Sequence, residues 1–411
     1  MADRYIRNPF EHNYKEQPLS TGDEISRWLD FNLAKIRDGL GSVKDFANEN
    51  DYDVYTGIGG VYWALKRCEK MCPGLYDESN YQLIQDVCSV CEPFITGAEK
   101  VDRQYLTGNL ATIAVIGSES GLITPDDSFK ILRQTGETLL KLNSGKGDDE
   151  LFVGRAGWLA AVLHQTDDVQ KKLEQMVRDI ILVMINEGQR ISKEVKAANV
   201  ESVPPLMYSY HGTFYIGAAH GLAGILTILL SFHKMMNSEA KKLVVDTARW
   251  VFGLQDAEGN FPSSVWGREH KTNNLVHWCH GATGVSLLAM KLYLVDENEE
   301  DLQVARRALQ CLWTRGVLRK GNGLCHGVSG NGYPFLLMYR LSGCEQTEYL
   351  QKANCFAQMT CDEAVEAAQR VPDSPFSLFE GLSGAVAFLV DIHHPKYAEF
   401  PFFPIFREFN Y

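Results

Sequence analysis

The sequence predicts an all-α protein, an α/α toroid of seven inner helices sheathed by seven outer ones, formed as one domain over 1–411. Three observations predict it. A short glycine-bearing turn recurs seven times, each turn opens a stretch that is apolar on nearly every side, and amphipathic helices fill the gaps. The turns begin at Gly57, Gly108, Gly154, Gly221, Gly281, Gly327 and Gly381. Six read GxxG, and the second reads GxxA, with Ala111 in the last position. Leu302, Val304, Ala305, Ala308, Leu309 and Leu312 make one amphipathic face; Leu243, Val244, Trp250, Val251 and Leu254 lie in a similarly periodic stretch. A helix apolar all round must be buried among others, so each unit pairs an outer amphipathic helix with an inner one. An open α-solenoid is the competing architecture. The closed ring is preferred because it brings all seven turns to one end.

That geometry makes the residue before each first glycine informative. In order these are Thr56, Thr107, Val153, His220, His280, His326 and Glu380. Three of the chain's 11 histidines hold equivalent positions, and Cys279 and Cys325 each precede one of them. Cys279, Cys325 and His326 are ligand types that zinc prefers, and three protein ligands leave a fourth position open. A structural zinc is the alternative, but it would normally be closed by four ligands. Two thiolates and an imidazole suit binding and deprotonating an incoming thiol. His220 follows Ala219 rather than a cysteine, which makes it a candidate acid or base, with a capping or core histidine as the plainer reading. His280 shares the turn with Cys279 as a substrate contact. Glu380 could anchor a basic partner, or simply complement a helix dipole.

Composition excludes other classes. The 411 residues carry 40 basic and 52 acidic side chains, net −12, the wrong sign for a protein that lives on nucleic-acid phosphates. No apolar run reaches a membrane span, and Met1-Ala2-Asp3-Arg4 reads neither as a signal peptide nor as a myristoylation site. A cytoplasmic protein is expected, with peripheral membrane association left open. Ten cysteines spread over this length predict reduced thiols or metal ligands. The Cys88–Cys91 CxxC falls on one helical stripe with Ile84 and Val87 and reads as core. The segment 187–215 reads as a polar loop, and Asp296–Asp301 as a solvated acidic connection. The closing Pro401–Phe406 segment should pack on the body. No Walker A motif or Rossmann fingerprint is present.

His-Trp-Cys-His-Gly at 277–281, Gly-Leu-Cys-His-Gly at 323–327, Ala-Ala-His-Gly-Leu-Ala-Gly at 218–224 and Ser-Leu-Phe-Glu-Gly at 377–381 resemble the lanthionine synthetase C-like family over the whole chain. Pro205–Tyr210 and Glu150–Arg155 resemble its eukaryotic branch. The resemblance implies zinc on Cys279, Cys325 and His326, with His220 as acid or base. It also implies glutathione as co-substrate, added to dehydroalanine or dehydrobutyrine in proteins or peptides. Bacterial relatives carry an aspartate where this chain has Glu150, a carboxylate on a longer arm. Lys320 and Arg4 match residues implicated in eukaryotic members, suited to glutathione carboxylates or a leaving phosphate. A non-catalytic adaptor that binds glutathione, zinc, SH3-type partners or lipid is the alternative function. A prenyltransferase or terpene cyclase on a helical toroid is a third, disfavoured by the lack of a DDxxD run.

Overall fold

In the computed structural model the described residues are 4–49, 51–98, 100–142, 148–266 and 275–409. Residues 1–3, on which the reading of the extreme N-terminus rests, lie outside them. The described chain is helical, with only Phe214–Tyr215 and Ser264–Val265 paired as an antiparallel two-strand ladder. It divides into two compact units.

The first unit comprises residues 1–97, 276–278 and 309–401. Its glycine turns open the helices Ile58–Met71, Val328–Leu341 and Leu382–His393, and most of their residues are buried. Amphipathic helices pack against them: Gly22–Leu40 on Leu382–His393, Glu78–Thr96 on Ile58–Met71, and Thr347–Met359 on Val328–Leu341. Gly22–Leu40 starts at a capping box, in which Thr21 Oγ1 accepts from the Glu24 N–H and the Glu24 carboxylate accepts from the Thr21 N–H. A buried network ties the three glycine helices together. Arg67 pairs with Asp391, and Tyr333 donates its hydroxyl to the same carboxylate at 3.1 Å. The CxxC is core: Ile84, Val87 and Cys91 are fully buried and Cys88 nearly so.

The second unit comprises residues 98–275, 279–308 and 402–411. Its glycine turns open Arg155–Leu163, Leu222–Leu230 and Ala282–Asp296, and the first two of these helices are buried along their entire length. The repeat that carries Ala111 instead of glycine starts differently, as a π-helical segment over Ala111–Ile116. Lys291, fully buried, donates to the carbonyls of Ile405 and Arg407 at 2.9 Å each. Phe402, Phe403 and Ile405 are buried, so the closing segment packs as expected.

The second glycine of the motif has a steric cause. A Cβ on Gly330 would lie 1.9 Å from the Leu324 carbonyl oxygen, and one on Gly224 would lie 2.0 Å from that of Ala218. In both, the first turn of the helix presses on the carbonyl six residues earlier, and only glycine leaves room.

Two expectations are corrected. The segment 187–215 is not a loop throughout, because the helix Asp167–Ala197 runs through its first third. Ile191 and Val195 continue the buried stripe of Met184 and Ile185, and helical periodicity wins over the local polarity. The acidic run at 296–301 is more than a solvated connection: Asp301 is buried and pairs with Arg249 at 2.9 Å, and Asp296 joins at 2.7 Å.

Candidate metal and thiol-addition site

Adjacent glycine turns are stitched by backbone hydrogen bonds just upstream of the informative positions. In the first unit Phe379 N–H donates to Tyr55 O (3.1 Å), Cys325 N–H to Phe379 O (2.7 Å), and Trp278 N–H to Cys325 O (3.0 Å). The second unit repeats the device, with Tyr105 N–H donating to Phe152 O at 2.7 Å. The ligand atoms of Cys279, Cys325 and His326 all lie within 4.8 Å of one another.

The donor set fits zinc. Cys279 and Cys325 are buried, and His326 is partly accessible. Burial alone would depress the His326 imidazole. The hydrogen bond and charge of Cys325, with Glu380 in support and Lys320 opposing, lift it above its ordinary value. Two thiols and one imidazole at this separation suit a tetrahedral ion with a remaining position for an exogenous ligand. Six other cysteines lie outside this cluster. Burial pushes the thiols of Cys88 and Cys355 up to about 12 and those of Cys72 and Cys361 to about 11, and raises Cys68 and Cys91 further. Those six are neutral, and all but the half-buried Cys361 are core side chains.

His220 ends the turn before Leu222–Leu230, and its Nδ1 lies 2.9 Å from Glu150 Oε2. The longer arm of Glu150 therefore reaches its partner. The same carboxylate accepts from the N–H groups of Phe152 (2.8 Å) and Val153 (2.5 Å), so it shapes its own turn as well. Its neighbour Asp149 is ion-paired with Arg155 at 2.8 Å, both buried, and Arg155 also donates to the carbonyls of Leu139 and Leu142. Burial lifts the Asp149 carboxyl to about 6 against the pull of Arg155. Aromatic rings surround the imidazole: Tyr210 is stacked on it at 4.3 Å, Phe152 tilted at 4.7 Å, and Tyr215 at 6.0 Å. Tyr215 also lies 5.3 Å from the ring of His280.

The remaining candidates are placed as follows. Lys320 and Arg4 are exposed, and their backbones run close together, with Ile6 N–H donating to Val317 O and Arg319 N–H to Arg4 O. Glu380 is half-buried, its N–H held by Ser377 Oγ, and its charge acts on His326. Sequence reasoning missed Tyr210, Tyr215 and the Asp149–Arg155 pair. A signal for the tyrosines exists, since Tyr208-Ser-Tyr-His-Gly-Thr-Phe-Tyr215 packs four aromatic residues just before the Ala-Ala-His-Gly turn.

Helical repeats bearing thiol and imidazole donors at equivalent glycine turns define a class. The chain belongs to the lanthionine synthetase C-like family, whose model matches residues 31–405. It is 36% identical over 373 residues to the LanC-like protein GCL1 of Arabidopsis thaliana, covering 86% of this chain and 82% of that protein. It is 34% identical over 266 residues to the glutathione S-transferase LANCL1 of Danio rerio. That match covers 64% of this chain and 64% of the relative, so the chain spans less than two thirds of the relative's length. Among solved structures it is similar to nisin cyclase, with a TM-score of 0.66 at 17% identity over 88% of this chain and 93% of that one. The fold is the α/α toroid. No helix among the described residues is long and apolar enough to cross a membrane.

Proposed function

We propose that the protein is a zinc-dependent enzyme that adds a thiol, glutathione foremost, to dehydroalanine or dehydrobutyrine residues in proteins or peptides. The observation that carries this reading is the convergence of the Cys279, Cys325 and His326 ligand atoms within 4.8 Å. Relatives named as a glutathione S-transferase and a nisin cyclase support it. Zinc held by these three residues would supply a Lewis acid that lowers the pKa of an incoming thiol.

In the addition the S–H bond and the C=C π bond are lost, and S–Cβ and Cα–H bonds form. The sulfur's proton leaves to solvent, and the enolate's α-carbon takes one from His220. Glu150 occupies Nδ1, which orients the ring and leaves Nε2 to hand over the proton. Arg4 and Lys320 would bind the carboxylates of glutathione or a phosphate leaving the substrate, and His280 and Glu380 would contact the acceptor peptide.

The test is metal analysis of the purified protein together with glutathione addition to a dehydroalanine peptide. About one zinc per chain and zinc-dependent addition are expected. Zinc-free protein that adds glutathione at full rate overturns the metal's role. Binding of zinc and glutathione without any addition favours the adaptor reading.

A further inference from the structure

We infer that Tyr210 is a positioning residue for His220, a ring stacked flat on the imidazole that holds its plane and so fixes the face from which the proton is delivered. The inference rests on the reading of His220 as the acid, and deepens it.

Two constraints are needed to fix an imidazole that must deliver a proton to one face of a flat enolate. A hydrogen bond at Nδ1 restrains where the ring points but leaves it free to rock about that bond. Glu150 provides the first constraint, at 2.9 Å. Tyr210 provides the second: its ring centroid lies 4.3 Å from that of His220, and the planes differ by 3°. Phe152, tilted by 56° at 4.7 Å, is a third ring contact.

The backbone that carries Tyr210 is built for this purpose. Tyr210 N–H donates to Thr213 O at 2.9 Å, and Thr213 N–H to Tyr210 O at 3.0 Å, closing a two-residue turn. Both central residues are left-handed, His211 at φ 48° and Gly212 at φ 77°, as a type I′ turn requires. Histidine is disfavoured in that region relative to glycine. Here it stands edge-on to the Tyr210 ring at 4.4 Å. Tyr210 thus contacts two histidine rings, one edge-on and one stacked, and Phe214–Tyr215, which follow the turn, are anchored by pairing with Ser264–Val265. Tyr208, two residues earlier, is the contrast. It is buried, with its hydroxyl donated to the Met184 carbonyl, a core role that leaves the His220 stack to Tyr210.

The experiment compares Tyr210→Phe and Tyr210→Leu in the full-length protein. The ring stack should shift the His220 ring-proton resonance upfield. Tyr210→Phe should keep that shift and Tyr210→Leu should lose it, with zinc content unchanged in both. On the dehydroalanine peptide, Tyr210→Leu should lower kcat about ten- to a hundredfold with little change in KM for glutathione. It should also give a mixture of configurations at the new α-carbon, whereas Tyr210→Phe restores both rate and stereochemistry. An unshifted resonance in the parent overturns the stack itself. Parent-like kcat and product configuration in Tyr210→Leu overturn its role in positioning, as does equal impairment in Tyr210→Phe. If the parent adds no glutathione, the function proposal fails; the resonance comparison then decides separately whether Tyr210 positions the ring.

Discussion

The turn before Gly57 and the turn before Gly154 use the same device for different ends. Each places a carboxylate four residues ahead of its first glycine. Asp53 spends one oxygen on its own loop, accepting from the N–H groups of Tyr55 (2.6 Å), Thr56 (2.8 Å) and Gly57 (3.2 Å). Glu150 accepts from Phe152 and Val153 and still meets His220. One methylene separates them. The short arm gives the turn three hydrogen bonds on one oxygen, while the longer one shapes its turn with both oxygens and also meets the His220 ring. On the proposed mechanism, a repeat carries a chemical role without giving up its structural one.

The largest effect should come from the metal ligands. Cys325→Ala or Cys279→Ala should release zinc and abolish measurable glutathione addition, while far-ultraviolet circular dichroism stays that of the parent. Loss of the helical signal with the metal would instead assign the zinc to structure. Next, His220→Ala should retain zinc and bind glutathione but slow addition by ~10²–10⁴-fold, the usual range for losing a positioned acid. A parent-like rate in single-turnover assays would remove His220 from the chemistry.

Paired amide substitutions sharpen the comparison directly. Glu150→Gln should slow addition about ten- to a hundredfold, because the charged acceptor that orients the His220 ring at Nδ1 is gone while the turn keeps an acceptor. Asp53→Asn should leave the rate unchanged and cost about 1 kcal/mol of stability in urea titration. Equal effects of the two on rate would erase the distinction between the turns. The smallest effect is a pH trend at Asp53. Burial outweighs its three N–H donors and holds its carboxyl above the ordinary 3.8. A raised folded value means that stability from this group is full below 3.8 and is lost as pH rises through the folded value. The stability gap between the parent and Asp53→Asn should therefore be wider near pH 3 than at pH 7. A gap that widens toward neutral pH would show that the loop's hydrogen bonds, rather than burial, dominate.

The repeat glycines and the Cys-His doublets were legible because they answer local demands. Glycine is required where a helix start presses on a carbonyl, as at Gly330, and a thiol beside an imidazole is a recognisable ligand pair. The helical run of Ile191 and Val195 was hidden by the charged residues between them, and burial revealed the stripe. Arg155 read only as part of a motif; that it is fully buried against Asp149 depends on a carbonyl-lined pocket that sequence does not display.

Periodicity and glycine spacing by themselves determined the helical class, the sevenfold repeat and the candidates at each turn, because burial patterns and backbone crowding act over a few residues. Only the tertiary structure decided which candidates meet. His220 and Glu150 are 70 residues apart in the chain, and their contact depends on the registry of neighbouring turns and on one methylene of side-chain length. Tyr210 is more remote still from sequence logic. Its role comes from a left-handed turn that lays one ring on another, and ring stacking leaves no periodic trace in a sequence.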